Sequence, residues 1–273
     1  MSDASEHPVT DEPTDESRPD RWIELEGVVN MRDSGGLPTR DGGAIQPHRL
    51  LRSDNLQDLS EDDVRQIVED LGVSDIVDLR SDTEVSTEGP GPLWHVEALT
   101  HHHHSLFGDG RSVTAEQALA MPEHSKRATR DAGFWSDHYL GYLAARPDSI
   151  SAALDVVSRS TGATVIHCAA GKDRTGTVIA LALDAAGVPH EAIVEDYALT
   201  GERIEKIIAR LMPRELYGNA LRHQSVADQL PRPETMRTIL ATVQSEFGGA
   251  QGWLREQGWS DADIERLVAR LTS

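Results

Sequence analysis

The stretch His167-Cys168-Ala169-Ala170-Gly171-Lys172-Asp173-Arg174-Thr175-Gly176 decides how this chain is read. It holds the chain's only cysteine and places an arginine six positions after it, with a glycine between. Just upstream, Ala163-Thr164-Val165-Ile166-His167 reads as a short buried strand, and residues 175–186 read as a buried helix. Cys168 therefore sits on a short turn from a strand end to a helix start. A helix start presents unpaired backbone N–H groups and the positive end of the helix dipole, which makes it an anion site. A thiolate is stabilised in such a place. The residues between Cys168 and Arg174 can curl so that their N–H groups converge on one tetrahedral anion. Arg174 would close the ring with a planar fork on two oxygens, and Gly171 and Gly176 permit close backbone approach. The result is a nucleophile held beneath a bound phosphate.

With those residues in view, the chain resembles the cysteine-dependent protein tyrosine and dual-specificity phosphatases, whose signature His-Cys-x-x-Gly-Lys-x-Arg-Thr-Gly looks like. The Lys172-Asp173 form is similar to the atypical bacterial tyrosine phosphatases, among them broad-specificity enzymes of mycobacteria. Three upstream stretches fit the same pattern in the same order: Asn30-Met31-Arg32-Asp33-Ser34-Gly35-Gly36, Leu51-Arg52-Ser53-Asp54, and Ile76-Val77-Asp78-Leu79-Arg80-Ser81 with Glu84. The resemblance runs from about residue 27 to about residue 200. It implies an α/β phosphatase-like fold, with a central, mostly parallel sheet flanked by helices.

It also implies a two-step reaction, in which Cys168 attacks phosphorus and water then hydrolyses the thiophosphate. Residues Ala169, Ala170, Gly171, Lys172, Asp173, Arg174 and Thr175 would hold the phosphate. Thr175 would either donate its hydroxyl to the thiolate or cap the helix. His167 is expected to brace the loop rather than act as a base. Many relatives carry a proton-donating aspartate in a Trp-Pro-Asp loop, and this sequence has none. Asp173 is the first candidate for that acid and Asp78 the second. Asp173 could instead cap the helix or orient Arg174, and Asp78 could pair with Arg80 or Arg52. Lys172 resembles a lysine of phosphatases that accept phosphoinositides; otherwise it is a solvated charge. Phosphotyrosine in proteins or peptides is the leading substrate, with phosphoserine, phosphothreonine and phosphoinositides as further ones. The chemistry asks for no cofactor and no metal. Two rivals remain at this point: a non-catalytic phosphate-binding module of the same fold, and a sulfurtransferase.

Composition narrows the class. The chain has 273 residues, 46 acidic against 26 basic, and a formal net charge of -20. Nucleic acid is disfavoured, because phosphate contacts need clustered Lys and Arg. No stretch approaches the ~20 apolar residues of a membrane span. The first 20 residues hold seven acids and three prolines and read as a disordered tail, with no apolar run for a signal peptide. One cysteine rules out an intrachain disulfide. These features point to a reducing, cytoplasmic setting, with export lacking a cleaved signal left open.

Residues 21–273 read as one domain. A strand or hairpin is expected around 27–32, and strands around 49–52, 74–79 and 93–98. Ser60 caps a helix with Val64, Ile67, Val68 and Leu71 at helical spacing, and helices are expected over 134–145, 149–157 and 191–199. Ser260 starts a last helix with Ile264, Leu267, Val268 and Leu271 on one face. Between these, Arg203, Lys206, Arg210 and Arg214 line one face of a helix whose other face carries Ile204, Ile207, Ile208 and Leu211. Residues 201–230 are expected to form a helical lid whose basic stripe draws anionic substrates. The run His101–His104 is expected in a solvent loop, since consecutive histidines cannot share one face.

Overall fold

The computed structural model describes residues 21–107 and 132–273. The acidic segment read as a disordered tail lies outside the described residues. Five strands form one sheet: β1 (Arg32–Asp33), β2 (Leu50–Ser53), β3 (Val73–Asp78), β4 (Thr100–His103) and β5 (Ala163–His167). Their order is β1-β2-β5-β3-β4, antiparallel only between β1 and β2. The central strand, β5, carries the expected boundaries. Its neighbours in the sheet are far away in sequence, so each connection crosses over through helices, as parallel strands require.

Both faces of this sheet are covered, and the alternation of side chains shows it. Leu50, Val77 and Ile166 enter one core, while Leu51, Ile76 and Val165 enter the other. A strand with both faces buried reads as a continuous apolar run, which is why 163–167 was legible. Full burial of such a side chain contributes roughly 1.5–3 kcal/mol.

In the first half, helix α1 (Glu61–Arg65) is capped by Ser60, with Asp63 completing a capping box, and it runs on into one π turn, Gln66–Asp70. Helix α2 (Asp82–Glu88) follows β3. The second half supplies α3 (Ala132–Ala145), α4 (Pro147–Arg159), α5 (Asp173–Ala185) and α6 (His190–Leu199). Then come α7 (Ile204–Leu211), α8 (Glu215–Leu221), α9 (Val226–Gln229), α10 (Pro233–Phe247), α11 (Ala250–Glu256) and α12 (Asp261–Thr272). Every residue of α5 is buried, so the helix after the cysteine is the spine of the larger core.

Three expectations need correction. Residues 93–98 do not form a strand: Pro92 opens a 3₁₀ turn, Pro92–His95, and the fourth strand lies later. That strand, β4, contains most of the histidine run, which is therefore no solvent loop. The rings are fixed in place: His101 pairs with the Leu93 carbonyl, His102 with Asp75, and His103 with the Arg80 carbonyl. Around 27–32 the chain is mostly turn, and pairing begins only at Arg32, which bridges to Trp22.

Candidate active site

The loop between β5 and α5 is held from outside by its carbonyls. The Ala169 carbonyl accepts from the Asn55 backbone N–H at 3.0 Å. Ala170 accepts from Asn30 Nδ2 at 2.9 Å, and Gly171 from an Arg52 guanidinium nitrogen at 2.8 Å. C=O and N–H of a trans peptide point in opposite directions. Drawing these three carbonyls outward therefore turns the amides of residues 170–172 toward the interior of the loop. This gives the upstream stretches their physical role: Asn30 and Arg52 stand in the first two, and Asn55 directly follows the second. Arg52 is itself clamped by Asp196 of α6 at 2.8 Å.

Gly171 has φ +66°, and a Cβ there would stand 2.5 Å from the Ser53 carbonyl oxygen. A side chain is excluded on both counts. Lys172 is the N-cap of α5 but makes no side-chain cap bond, and Asp173 Oδ1 is taken up by Tyr139. Asp173 therefore does not cap the helix. Thr175 does not either: its hydroxyl is fully buried and has no partner among the described residues.

Arg174 is gripped by Glu84 in a two-pronged pair, at 2.6 and 3.0 Å, and lies 5.0 Å over the Phe107 ring. Burial works against the guanidinium charge, but Glu84 and Cys168 outweigh it and hold the pKa well above its ordinary value. Glu84 also accepts from the Ser81 backbone N–H, at 2.7 Å, and from the Tyr217 hydroxyl, at 2.9 Å. The sequence offered Glu84 only as a member of a motif; its distance of 90 residues from Arg174 hid the pairing. The one available signal was the Ser81-x-x-Glu84 capping box, which marks a helix start and not a site.

Asp173 is not the orienting partner of Arg174. Its Oδ1 accepts a hydrogen bond from Tyr139, and the Lys172 ammonium stands 3.7 Å away. Lys172 is only 3% exposed and donates to the Gln229 carbonyl at 2.7 Å, so it is not a solvated charge.

Asp78 takes the other course weighed for it. Both its oxygens accept from Arg80, at 2.6 to 3.0 Å, and His167 Nε2 lies 3.8 Å away. Burial pushes its carboxyl up, yet His167 and Arg80 hold it well below the usual carboxylate range. The Arg80 fork favours the ionised form of this carboxyl, so Asp78 takes the ion-pair role weighed for it. His167 is buried with Nδ1 3.4 Å from the Cys168 carbonyl, and burial lowers its pKa to about 4. It braces the loop as a neutral ring.

Helices α7 and α8 lie on the loop. Ile204, Ile207, Leu211, Tyr217 and Leu221 form one apolar cluster with Ala169, and Ala170 packs against it. Cys168 is 2% exposed beneath. Of the expected basic stripe, Lys206 is exposed, while the three arginines are paired. Arg203 pairs with Glu24, Arg210 with Asp54 and Asp58, and Arg214 with Asp58 and Glu88. Among the described residues no His, Cys, Asp or Glu group is arranged to hold a metal, and no helix is long and apolar enough to cross a membrane.

Comparison with known proteins fits this site. The triple specificity protein phosphatase PtpB of Mycobacterium tuberculosis is 28% identical over 275 residues, covering 89% of this chain and 96% of its own. A tyrosine-protein phosphatase of Nostoc commune is 28% identical over 239 residues, covering 84% of this chain and 76% of its own. The crystal structure of Pseudomonas aeruginosa TpbA shares 15% identity over 68% of this chain and 87% of its own, with a TM-score of 0.28, too low to bear on the fold. The model of the tyrosine phosphatase family matches residues 23–273, and with it the cysteine loop, the three upstream stretches and the helices laid over them: the chain belongs to the tyrosine phosphatase family.

Proposed function

We propose that the protein cleaves phosphate monoesters through a cysteinyl-phosphate intermediate, with phosphotyrosine in proteins or peptides as its leading substrate. Cys168 attacks phosphorus in line. The inward amides of 170–172 and the Arg174 fork take the equatorial oxygens, where transition-state charge is spread. Asp173 protonates the leaving oxygen and then accepts a proton from the water that hydrolyses the intermediate. The observation that carries this reading is the loop with its carbonyls tied outward and its arginine locked by a buried carboxylate. That is an anion cradle assembled around a thiol.

The name of PtpB records triple specificity for that protein. We extend phosphoserine, phosphothreonine and phosphoinositides to this chain as further substrates, with Lys172 at the pocket edge supplying added positive charge. We read residues 201–230 as a lid, since Cys168 is buried and α7 and α8 pack on its loop neighbours Ala169 and Ala170. A lone reactive thiol works best in a reducing compartment, which supports a cytoplasmic setting.

The test is phosphate release from a phosphotyrosyl peptide and from a phosphoinositide, without added metal. Cys168→Ser should abolish turnover on both, and the ratio of the two wild-type rates sets the substrate class. Tight phosphopeptide binding with no turnover by the wild type would instead mark a binding module.

A further inference from the structure

The aromatic group behind Asp173 has no assigned part in the reaction. Tyr139 projects from α3 and is 1% exposed; Tyr197 projects from α6 and is 2% exposed. Their hydroxyls are 2.9 Å apart, and Tyr139 donates to Asp173 Oδ1. A phenol has one proton to give. Since that of Tyr139 goes to Asp173, Tyr197 must be the donor in the pair. The chain of bonds thus has one direction, Tyr197 to Tyr139 to Asp173.

We propose that Tyr139 is a positioning residue for proton transfer: it holds Asp173 by Oδ1, so that Oδ2 is the atom that carries and delivers the proton. This rests on the reading of Asp173 as the acid. In the first step the Cys168 sulfur forms a bond to phosphorus while the bond from phosphorus to the leaving oxygen breaks. The Oδ2 proton passes to that oxygen. Asp173 is left as a carboxylate, the form that gains most from a phenol donor. In the second step water attacks phosphorus, the sulfur leaves, and a proton from water returns to Oδ2. Tyr139 gives up no proton in either step.

Other buried polar groups surround Asp173. Burial pushes Tyr139 and Tyr142 well above the ordinary phenol range, and it pushes Tyr197 up too. All three stay neutral donors or acceptors at working pH. His138 of α3 also faces Asp173; burial lowers its pKa to about 4, with Arg174 and Lys172 opposing its charge further. The permanent charges nearby are Lys172 and Arg174 on the same turn, with Arg52 beyond Tyr197. Cys168, the nucleophile, lies in the same loop.

The experiment is the dependence of kcat on pH for Tyr139→Phe, Tyr197→Phe and Asp173→Asn, with a phosphotyrosyl peptide and with an aryl phosphate whose nitrophenol leaving group needs no proton. Losing the phenol donor destabilises the carboxylate. The alkaline fall in the Tyr139→Phe profile should then move up by about one pH unit, and the plateau on the peptide should drop up to about tenfold. The nitrophenyl ester should be much less affected. Tyr197→Phe should move the fall in the same direction by less, and it tests the chain of bonds even if Tyr139→Phe folds poorly. Asp173→Asn should flatten the alkaline fall on the peptide. If Asp173→Asn flattens it while both tyrosine variants leave it where the wild type has it, Tyr139 is merely structural and the proposal is overturned, with Asp173 still the acid. If Asp173→Asn keeps the wild-type fall, the acid is misassigned and the proposal goes with it.

Discussion

Strands β3 and β5 lie side by side in the sheet, Asp78 opposite His167, and each feeds a helix. The two helix starts are finished in opposite ways. After β3, the chain closes the start of α2 with its own side chains: Ser81 accepts from the Glu84 N–H, and Glu84 returns a bond to Ser81. Asp78 is closed off as well, by Arg80. After β5, the N-cap residue of α5, Lys172, makes no side-chain cap bond. Its loop carbonyls are tied outward, and its arginine is supplied with a partner from the neighbouring start. A helix start becomes an anion site when the groups that would cap it are placed elsewhere. Here the carboxylate that closes α2 is the same one that aims Arg174.

That shared carboxylate is where the comparison breaks most easily. Glu84→Gln removes the charge opposite a fully buried guanidinium, and breaking such a pair costs about 3–5 kcal/mol. It should also lower kcat/KM on the order of a hundredfold, because Arg174 loses its aim. Asp78→Asn, on the pair that reaches the loop only through His167, should cost stability but leave the leaving-group dependence of the rate unchanged. Chemical denaturation with steady-state kinetics on both variants checks this. A Glu84→Gln enzyme of wild-type rate would show that the two helix starts are independent.

The strand and helix on either side of Cys168 were legible because burial on both faces writes itself into composition. The observed helix begins two residues before the expected 175, at Asp173, since the turn is completed at Gly171. The cap at Ser60 and the last helix were legible for a similar reason: caps and apolar spacing are local signals. Strand β4 was not legible, because its histidines reach carbonyls and a carboxylate that only the folded chain brings near. Pro92 did warn against a strand at 93–98, as it suits a helical first turn better. The pairing of Glu84 with Arg174, and of Tyr139 with Asp173, was invisible for the same reason as β4. Spacing locates a residue on its own element and says nothing of the facing one. The basic stripe at 203–214 was seen, but the acidic partners of its arginines come from three separate segments.

The contrast can be sharpened by acid. His167 is buried neutral, with a pKa near 4 against roughly 6.5 in an unfolded chain. Its stability contribution is therefore fully present above about pH 6.5 and is lost as pH falls toward 4, a loss of no more than about 3 kcal/mol. His138 acts with the same sign in the same window, since burial lowers it to about 4 as well. Asp78, held below its ordinary range, adds a further loss only below about pH 3.8. Melting temperature should decline between neutrality and pH ~4.5, and His167→Gln should lessen that decline without removing it. An unchanged slope would mean that His167 is not buried neutral in solution.

The smallest effect concerns the cover. Arg214 pairs with the half-exposed Asp58 at 2.5 Å and with Glu88 at the end of α2. The half-exposed Asp58 pair contributes up to about 1 kcal/mol, while Glu88 is only 7% exposed, so losing its partner in Arg214→Gln adds a further cost to stability. What it should alter most is the seat of α7 and α8 against Ala169 and Ala170 of the loop, which these pairs hold along with the Lys172 bond to Gln229. Limited proteolysis reads that directly. Cutting within 201–230 should be faster in Arg214→Gln than in the wild type, and an oxyanion that mimics phosphate should change the cutting rate in both. Equal cutting with and without the oxyanion would mean that the segment is a fixed part of the domain, and substrate would then need another way to Cys168.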